Sequence, residues 1–143
     1  SSTLTTGRES TAVNNDSNLY LDYEIAGRVT TGTSPTDNRV IAVHAVGALN
    51  DTPDWPDVFD GTDSSETVTS EDIRNSALRW LFSADTNNTS DREYPFAPTS
   101  IAAAFGGIVP DQWGIFVTHD TGVNLNSTAG NHAFHQTGVY QTG

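Results

Sequence analysis

The amino-acid sequence predicts an all-β protein: an antiparallel β-sandwich, jelly-roll-like, of about eight strands with one or two short helical turns. Three observations carry this reading. Large apolar residues alternate with polar ones over several short stretches, the period of a half-buried strand. Clusters of Gly, Pro, Asn and Asp separate those stretches at short intervals. The 143 residues suit one domain, whose core can form without disulfides or a structural metal. No cysteine is present, so thiol nucleophiles, zinc ribbons and iron–sulfur ligation are excluded. Six basic residues, all arginine, stand against eighteen acidic ones, a net charge of −12. That balance excludes a phosphate-tracking surface, so no nucleic acid is expected as a partner. No membrane is expected either, because the longest apolar runs, Ile101–Phe105 and Ile115–Val117, fall far short of the ~20 residues a spanning helix needs.

Residues 1–17 contain only Leu4 and Val13 as large apolar side chains, and are read as an extended N-terminal arm that a partner would order. Residues 18–143 are read as the single β-sandwich domain. The first strand begins at Asn18, where Leu19, Leu21, Tyr23 and Ile25 alternate with Tyr20, Asp22 and Glu24, and it continues toward Thr31. Turn chemistry over Gly32–Asn38 leads into a second strand, Arg39–Ala48. Both of its faces are apolar, so it is expected in a sheet interior, in a hairpin with the first.

Asn50–Asp72 carries Asp51, Asp54, Asp57, Asp60, Asp63, Glu66, Glu71 and Asp72 with no basic residue. Pro53, Pro56 and Gly61 interrupt any regular element, while Trp55, Val58 and Phe59 give it apolar anchors. It is expected to be a packed surface loop, and such loops commonly bind. Asp54, Trp55, Asp57, Phe59 and Asp60, with Leu4 and Val13 of the arm, are therefore the candidate partner contacts.

Thr69-Ser70-Glu71-Asp72 resembles a helix start, so a helical turn is expected at Glu71–Asn75, followed by a strand over Ser76–Ser83 and a turn at Asp85–Ser90. Arg92, Tyr94 and Phe96 alternate as a strand stopped by Pro95-Phe96-Ala97-Pro98. Thr99 or Ser100 caps a short helix over Ile101–Phe105, closed by Gly106-Gly107. Strands follow at Gln112–His119 and Val123–Asn126. In the last strand His132, Phe134, Gln136, Gly138 and Tyr140 share one face.

The chemistry-bearing residues are sparse. Asp57–Asp63 offers oxygen ligands of the kind calcium takes, but the alternating carboxylates and closing Glu of a helix–loop–helix calcium site are missing. The reading is a solvated acidic loop, with no metal and no cofactor. Eighteen acids produce chance pairs, so paired carboxylates are no sign of glycoside hydrolysis. Of His44, His119, His132 and His135, the last two lie three apart on a strand and face opposite sides, which prevents them sharing a metal. His119 is expected to hydrogen-bond at its turn. No nucleophile elbow, zinc helix or phosphate loop occurs, and no enzymatic activity is expected. Trp80 and Trp113 are in strand phase among aliphatic neighbours and are read as core, leaving Trp55 as the aromatic candidate for ligand contact.

Several stretches resemble a family of small virion proteins of tailed bacteriophages. They are Leu19-Tyr20-Leu21-Asp22-Tyr23-Glu24, Pro56-Asp57-Val58-Phe59-Asp60-Gly61-Thr62-Asp63-Ser64, Phe105-Gly106-Gly107-Ile108-Val109-Pro110 and Trp113-Gly114-Ile115-Phe116-Val117-Thr118-His119 with Thr121-Gly122. Ala129-Gly130-Asn131-His132-Ala133-Phe134 and Gly138-Val139-Tyr140 extend the likeness over nearly the whole chain. The resemblance implies a non-enzymatic virion structural protein, best matched to a capsid decoration (cement) protein on the outer surface of the head. Its partner would be the major capsid protein, and quasi-threefold sites would favour a homotrimer with exchanged arms. The alternative is a tail- or fibre-associated β-sandwich module binding host glycans. No site residues come with the resemblance.

Overall fold

Period-two alternation dominates residues 3–141, which the computed structural model describes. Among them are nine strands: β1 (Thr6–Glu9), β2 (Val13–Asn14), β3 (Asp22–Thr30), β4 (Arg39–Gly47), β5 (Ser65–Thr67), β6 (Arg79–Thr86), β7 (Glu93–Ser100), β8 (Gln112–His119) and β9 (Ala133–Val139). Two short helices, α1 (Glu71–Ala77) and α2 (Ile101–Ala104), complete the regular structure. One sheet has the order β5-β1-β8-β4-β6, with β2 also on β8, and the second has the order β7-β3-β9. All pairings between strands are antiparallel. The chain is thus an all-β sandwich. The order β1-β8-β4-β6 is that of a jelly-roll sheet, and β3 beside β7 supplies part of the facing sheet. Where a jelly roll would continue that second sheet, the chain between β4 and β6 instead folds back over the first.

That excursion explains why β4 is buried from Ile41 to Gly47 on both faces. Ile41, Val43 and Ala45 face the second sheet, where they pack with Ile25 and Val29 of β3, Phe96 of β7 and Trp113 and Ile115 of β8. On the opposite face Val46 and Phe116 pack with Phe59, Val68 and Leu78, and Trp55 lies against this second cluster. The larger sheet is therefore the middle of three layers. Each large side chain so buried contributes roughly 1.5–3 kcal/mol relative to exposure.

Several expectations need correction. The stretch read as an arm is not an arm: β1 inserts between β5 and β8, and Val13 of β2 pairs with Trp113. Backbone pairing and the buried Glu9 hold it, with Val13 packed against the core as its one large apolar contact there, which is why hydrophobicity missed it. The expected hairpin is also absent. β3 and β4 lie in different sheets, and the Gly32–Asn38 turn crosses between them. β7 runs through Pro95 and Pro98; it is an edge strand with an irregular register opposite Ile25/Gly27, where missing N–H donors are tolerated. The short strand expected at Val123–Asn126 is reduced to one bridge, Thr31 to Leu125.

Both helix starts are capped as their sequences predict. The Ser70 hydroxyl accepts from the Ile73 N–H at 3.2 Å, and Glu71 and Asp72 sit in the first turn of α1. The Ser100 hydroxyl accepts from the Ala103 N–H at 2.9 Å, and Asp22 Oδ1 accepts from the Ala102 N–H at 2.8 Å, tying α2 to β3. Gly106 and Gly107, at φ +80° and +107°, end α2 in the left-handed region that favours glycine.

Candidate functional site

The acidic segment is held by its own polar groups. Asp57, at φ +54°, accepts from the Thr69 N–H at 2.9 Å and the Thr69 hydroxyl at 2.6 Å. Asp60 accepts from the Thr62 N–H at 2.8 Å, and Asp63 pairs with the Arg8 guanidinium at 2.7 Å. Asp54 is exposed and its carbonyl accepts from the Leu49 N–H at 2.7 Å. The carboxylates of Asp57, Asp60 and Asp63 are thus bound to separate partners, and among the described residues no three His, Asp or Glu side chains converge as a metal site.

Beneath this segment lies a carboxylate that sequence reasoning did not single out. Glu9, fully buried, accepts from the Gly61 N–H at 2.8 Å and the Asp60 N–H at 3.4 Å. Burial raises its pKa, partly offset by those two amides. Trp55 closes over Gly61, where an added Cβ would lie 2.9 Å from the indole. The sequence signal for this lock was slight: Glu9, beside Arg8, is the only acid among residues 1–15.

The seven candidate contacts do not form one surface. Phe59, expected at a partner contact, is 5% exposed and meets Phe116 edge-on at 5.1 Å, so it belongs to the core. Trp55 and Val13 are half-buried against the two clusters, and half-buried Leu4 offers its carbonyl to Arg74 at 3.0 Å. Only Asp54, Asp57 and Asp60 stand exposed.

Two features missed from sequence are more open to a ligand or partner. At one end of the sandwich, segments leading into β3 and β8 meet those leaving β4 and β9. The Asn15 N–H bonds to Asp111, the Ala48 N–H to Gln112 and the Leu21 N–H to Val139. This end exposes Leu19 (70%), Leu21, Leu49, Ile108 (78%) and Tyr140. Single exposed leucines are unremarkable, but several at one end of a small domain make that end a candidate contact surface. The second feature is Trp80. Read as core, it is instead 63% exposed. An irregularity in the β4–β6 register puts Leu81 into the core and turns Trp80 outward, opposite His44.

The histidines differ in environment. His44 is 7% exposed with no hydrogen-bond partner at Nδ1. Its pKa is lowered to about 4 by burial first and then by the Arg74 charge. His119 is also lowered to about 4, chiefly by burial. The Thr121 hydroxyl donates to the Val123 carbonyl at 3.1 Å, so it accepts from His119 Nδ1–H at 2.9 Å. His132 bridges the sheet end: Nδ1 accepts from the Thr30 N–H at 3.2 Å, which leaves Nε2–H to donate to the Asn126 carbonyl at 2.7 Å. His132 precedes β9 instead of lying within it.

The narrow second sheet also leaves a groove of about 730 Å³ between the β1–β2 segment and β9, with Tyr23, Trp113, Ile115 and Phe134 in its walls. The chain matches no family model, no curated protein and no solved structure.

Proposed function

We propose that this chain is a non-enzymatic virion structural protein that decorates the outside of a tailed-phage head and braces capsomer junctions against the major capsid protein. The observation that carries the reading is the exposed apolar end at Leu19, Leu21, Leu49 and Ile108. Two stretches that resemble phage virion proteins, Leu19–Glu24 and Phe105–Pro110, flank the Asn15–Asp111 hydrogen bond at that end, and a third, Gly138-Val139-Tyr140, abuts the first through the Tyr20–Tyr140 ring contact at 6.1 Å.

Burying four such side chains yields roughly 6–12 kcal/mol at about 1.5–3 kcal/mol each. Association costs about 4–15 kcal/mol, so one end alone is marginal. A homotrimer on a threefold site would engage three ends at once and gain by avidity. Because β1 and β2 belong to their own sheet, that trimer rests on end contacts and not on exchanged arms.

Cryo-electron microscopy of the parent particle tests the reading. Density for this fold at capsomer junctions is the expected result, and density on the tail alone overturns it. A Leu19→Asp, Ile108→Asp double variant should fold normally yet fail to add to undecorated heads. A second reading, a tail- or fibre-associated module that binds host glycans, is favoured by one observation, the outward-facing Trp80.

A further inference from the structure

Trp80 forms one wall of a pocket of about 290 Å³ on the outer face of the larger sheet. His44 of β4, Arg74 and Asn75 of α1 and Ser83 of β6 complete its polar lining, and no carboxylate takes part. That absence is notable beside an excess of twelve acids over bases. Arg8, Arg28 and Arg39 have carboxylate partners, whereas among the described residues Arg74, like Arg79 and Arg92, makes no ion pair, and of these three only Arg74 lines the pocket. Its guanidinium is nonetheless fixed in place: Nη1 donates to the Leu4 carbonyl at 3.0 Å, and Nε and Nη2 donate to Asn75 Oδ1 at 3.2 and 3.1 Å. A guanidinium has five N–H donors, so two remain. His44 also lines the pocket, with its Nδ1 buried beneath the surface.

We propose that this pocket binds one residue of an acidic carbohydrate, its ring stacked on Trp80 and its carboxylate on the Arg74 guanidinium. The C–H face of a pyranose is weakly positive and apolar, which suits the negative face of an indole. The planar guanidinium matches a carboxylate with paired, charge-assisted bonds. Asn75 and Ser83 supply donors and acceptors for hydroxyls at the rim. The volume suits a single ring. An aliphatic side chain from a protein partner would cover the remaining Arg74 donors without satisfying them, at a cost. Repulsion from the remaining acids is limited, because the Debye length is about 8 Å at physiological salt. The site does not depend on whether the chain sits on head or tail.

The test is a glycan array of uronic- and sialic-acid oligosaccharides beside their neutral counterparts, probed with the intact chain, followed by tryptophan fluorescence titration of the retained sugars. Carboxylated sugars should be retained and should quench the exposed indole. Trp80→Ala should weaken binding at least tenfold with an unchanged thermal unfolding midpoint. Arg74→Gln should abolish the preference for acidic over neutral sugars, and Arg74→Lys should restore part of it. Retention of no saccharide overturns the proposal, as does binding that Trp80→Ala leaves intact, or equal retention of neutral analogues by the unaltered chain.

Discussion

Replacing His44 should alter how stability depends on pH more than it alters stability itself. The folded chain holds His44 neutral, with a pKa of about 4 against an ordinary value of 6.5. A group whose folded pKa is depressed contributes stability that is present above its unfolded pKa and is lost as pH falls toward the folded value. Between pH 7 and pH 5 the unfolded imidazole takes up its proton and the folded one does not, which removes about 2 kcal/mol of folding free energy. His119, also at about 4, adds a similar amount, so the pair removes about 4 kcal/mol in this window. Ordinary Asp and Glu side chains, at about 3.9 and 4.3, stay mostly ionised there, and Glu9, whose pKa is raised, acts in the opposite direction, so the difference between the unaltered chain and a His44 variant isolates the His44 contribution.

Urea unfolding at a series of pH values reads the effect. With a slope of about 2 kcal/mol per molar urea, the midpoint should fall by about 2 M from pH 7 to pH 5. In His44→Gln the fall should be about half as large. Any packing penalty of the substitution shifts both midpoints alike and leaves the difference intact. A His44→Gln profile parallel to that of the unaltered chain would refute the argument that His44 is buried neutral.

Asp22→Ala should destabilise the chain by about 2–4 kcal/mol in the same assay. It removes charged acceptors for the Ser100 hydroxyl at 2.6 Å and the Ala102 N–H at 2.8 Å. Phe59→Ala should cost about 3–5 kcal/mol and open residues 50–64 to limited proteolysis, whereas Val58→Ala, on the exposed side of the same loop, should change stability by less than about 0.5 kcal/mol. Glu9→Gln should steepen the loss of stability toward acid. The raised pKa of Glu9 gives stability that is present below its unfolded value and lost as pH rises through its folded value. The unaltered chain therefore gains that contribution on acidification, and the amide cannot. Equal slopes for the two proteins in urea titrations from pH 7 to pH 4 would contradict the burial of this carboxylate.

What the sequence revealed, and what it hid, follows from which interactions have a local signature. The apolar faces of β3, β4 and β8 repeat every second residue, so their existence and the sandwich itself were legible. Ser70 and Ser100 were readable as caps because capping is settled within three residues. Strand partners are not local. β3 and β4 look like a hairpin until β7 and β9 are found to occupy both edges of β3. Leu81 and Trp80 show the same limit. One irregular residue pair in the β4–β6 register shifts the alternation, so a tryptophan in core phase emerges on the surface. Glu9 and Asp22 were illegible as structural residues because their value lies in amides 52 and 80 positions away. Phe59 was misread because an acidic neighbourhood describes a solvated surface, and here that surface is one residue thick.

The placement of the two candidate contact features has a common cause. The larger sheet is covered on one face by β7-β3-β9 and on much of the other by the segment carrying Phe59, Val68 and Leu78, so of its central strands only the strip at Ala42 and His44, beside Trp80, lines an open pocket. Each buried side chain in β4 and β8 is committed to packing, and a substitution there changes stability before it changes binding. The open candidate surfaces are therefore the strand ends and the margin at the outermost strand. Leu19, Leu49 and Ile108 lie on connections at one end, while Trp80 lies on β6, which pairs with β4 alone. Neither place requires a main-chain rearrangement to be reached. A rigid sandwich that presents apolar tips at one end and an aromatic wall at one edge can make both contacts together, because neither uses a residue the other needs.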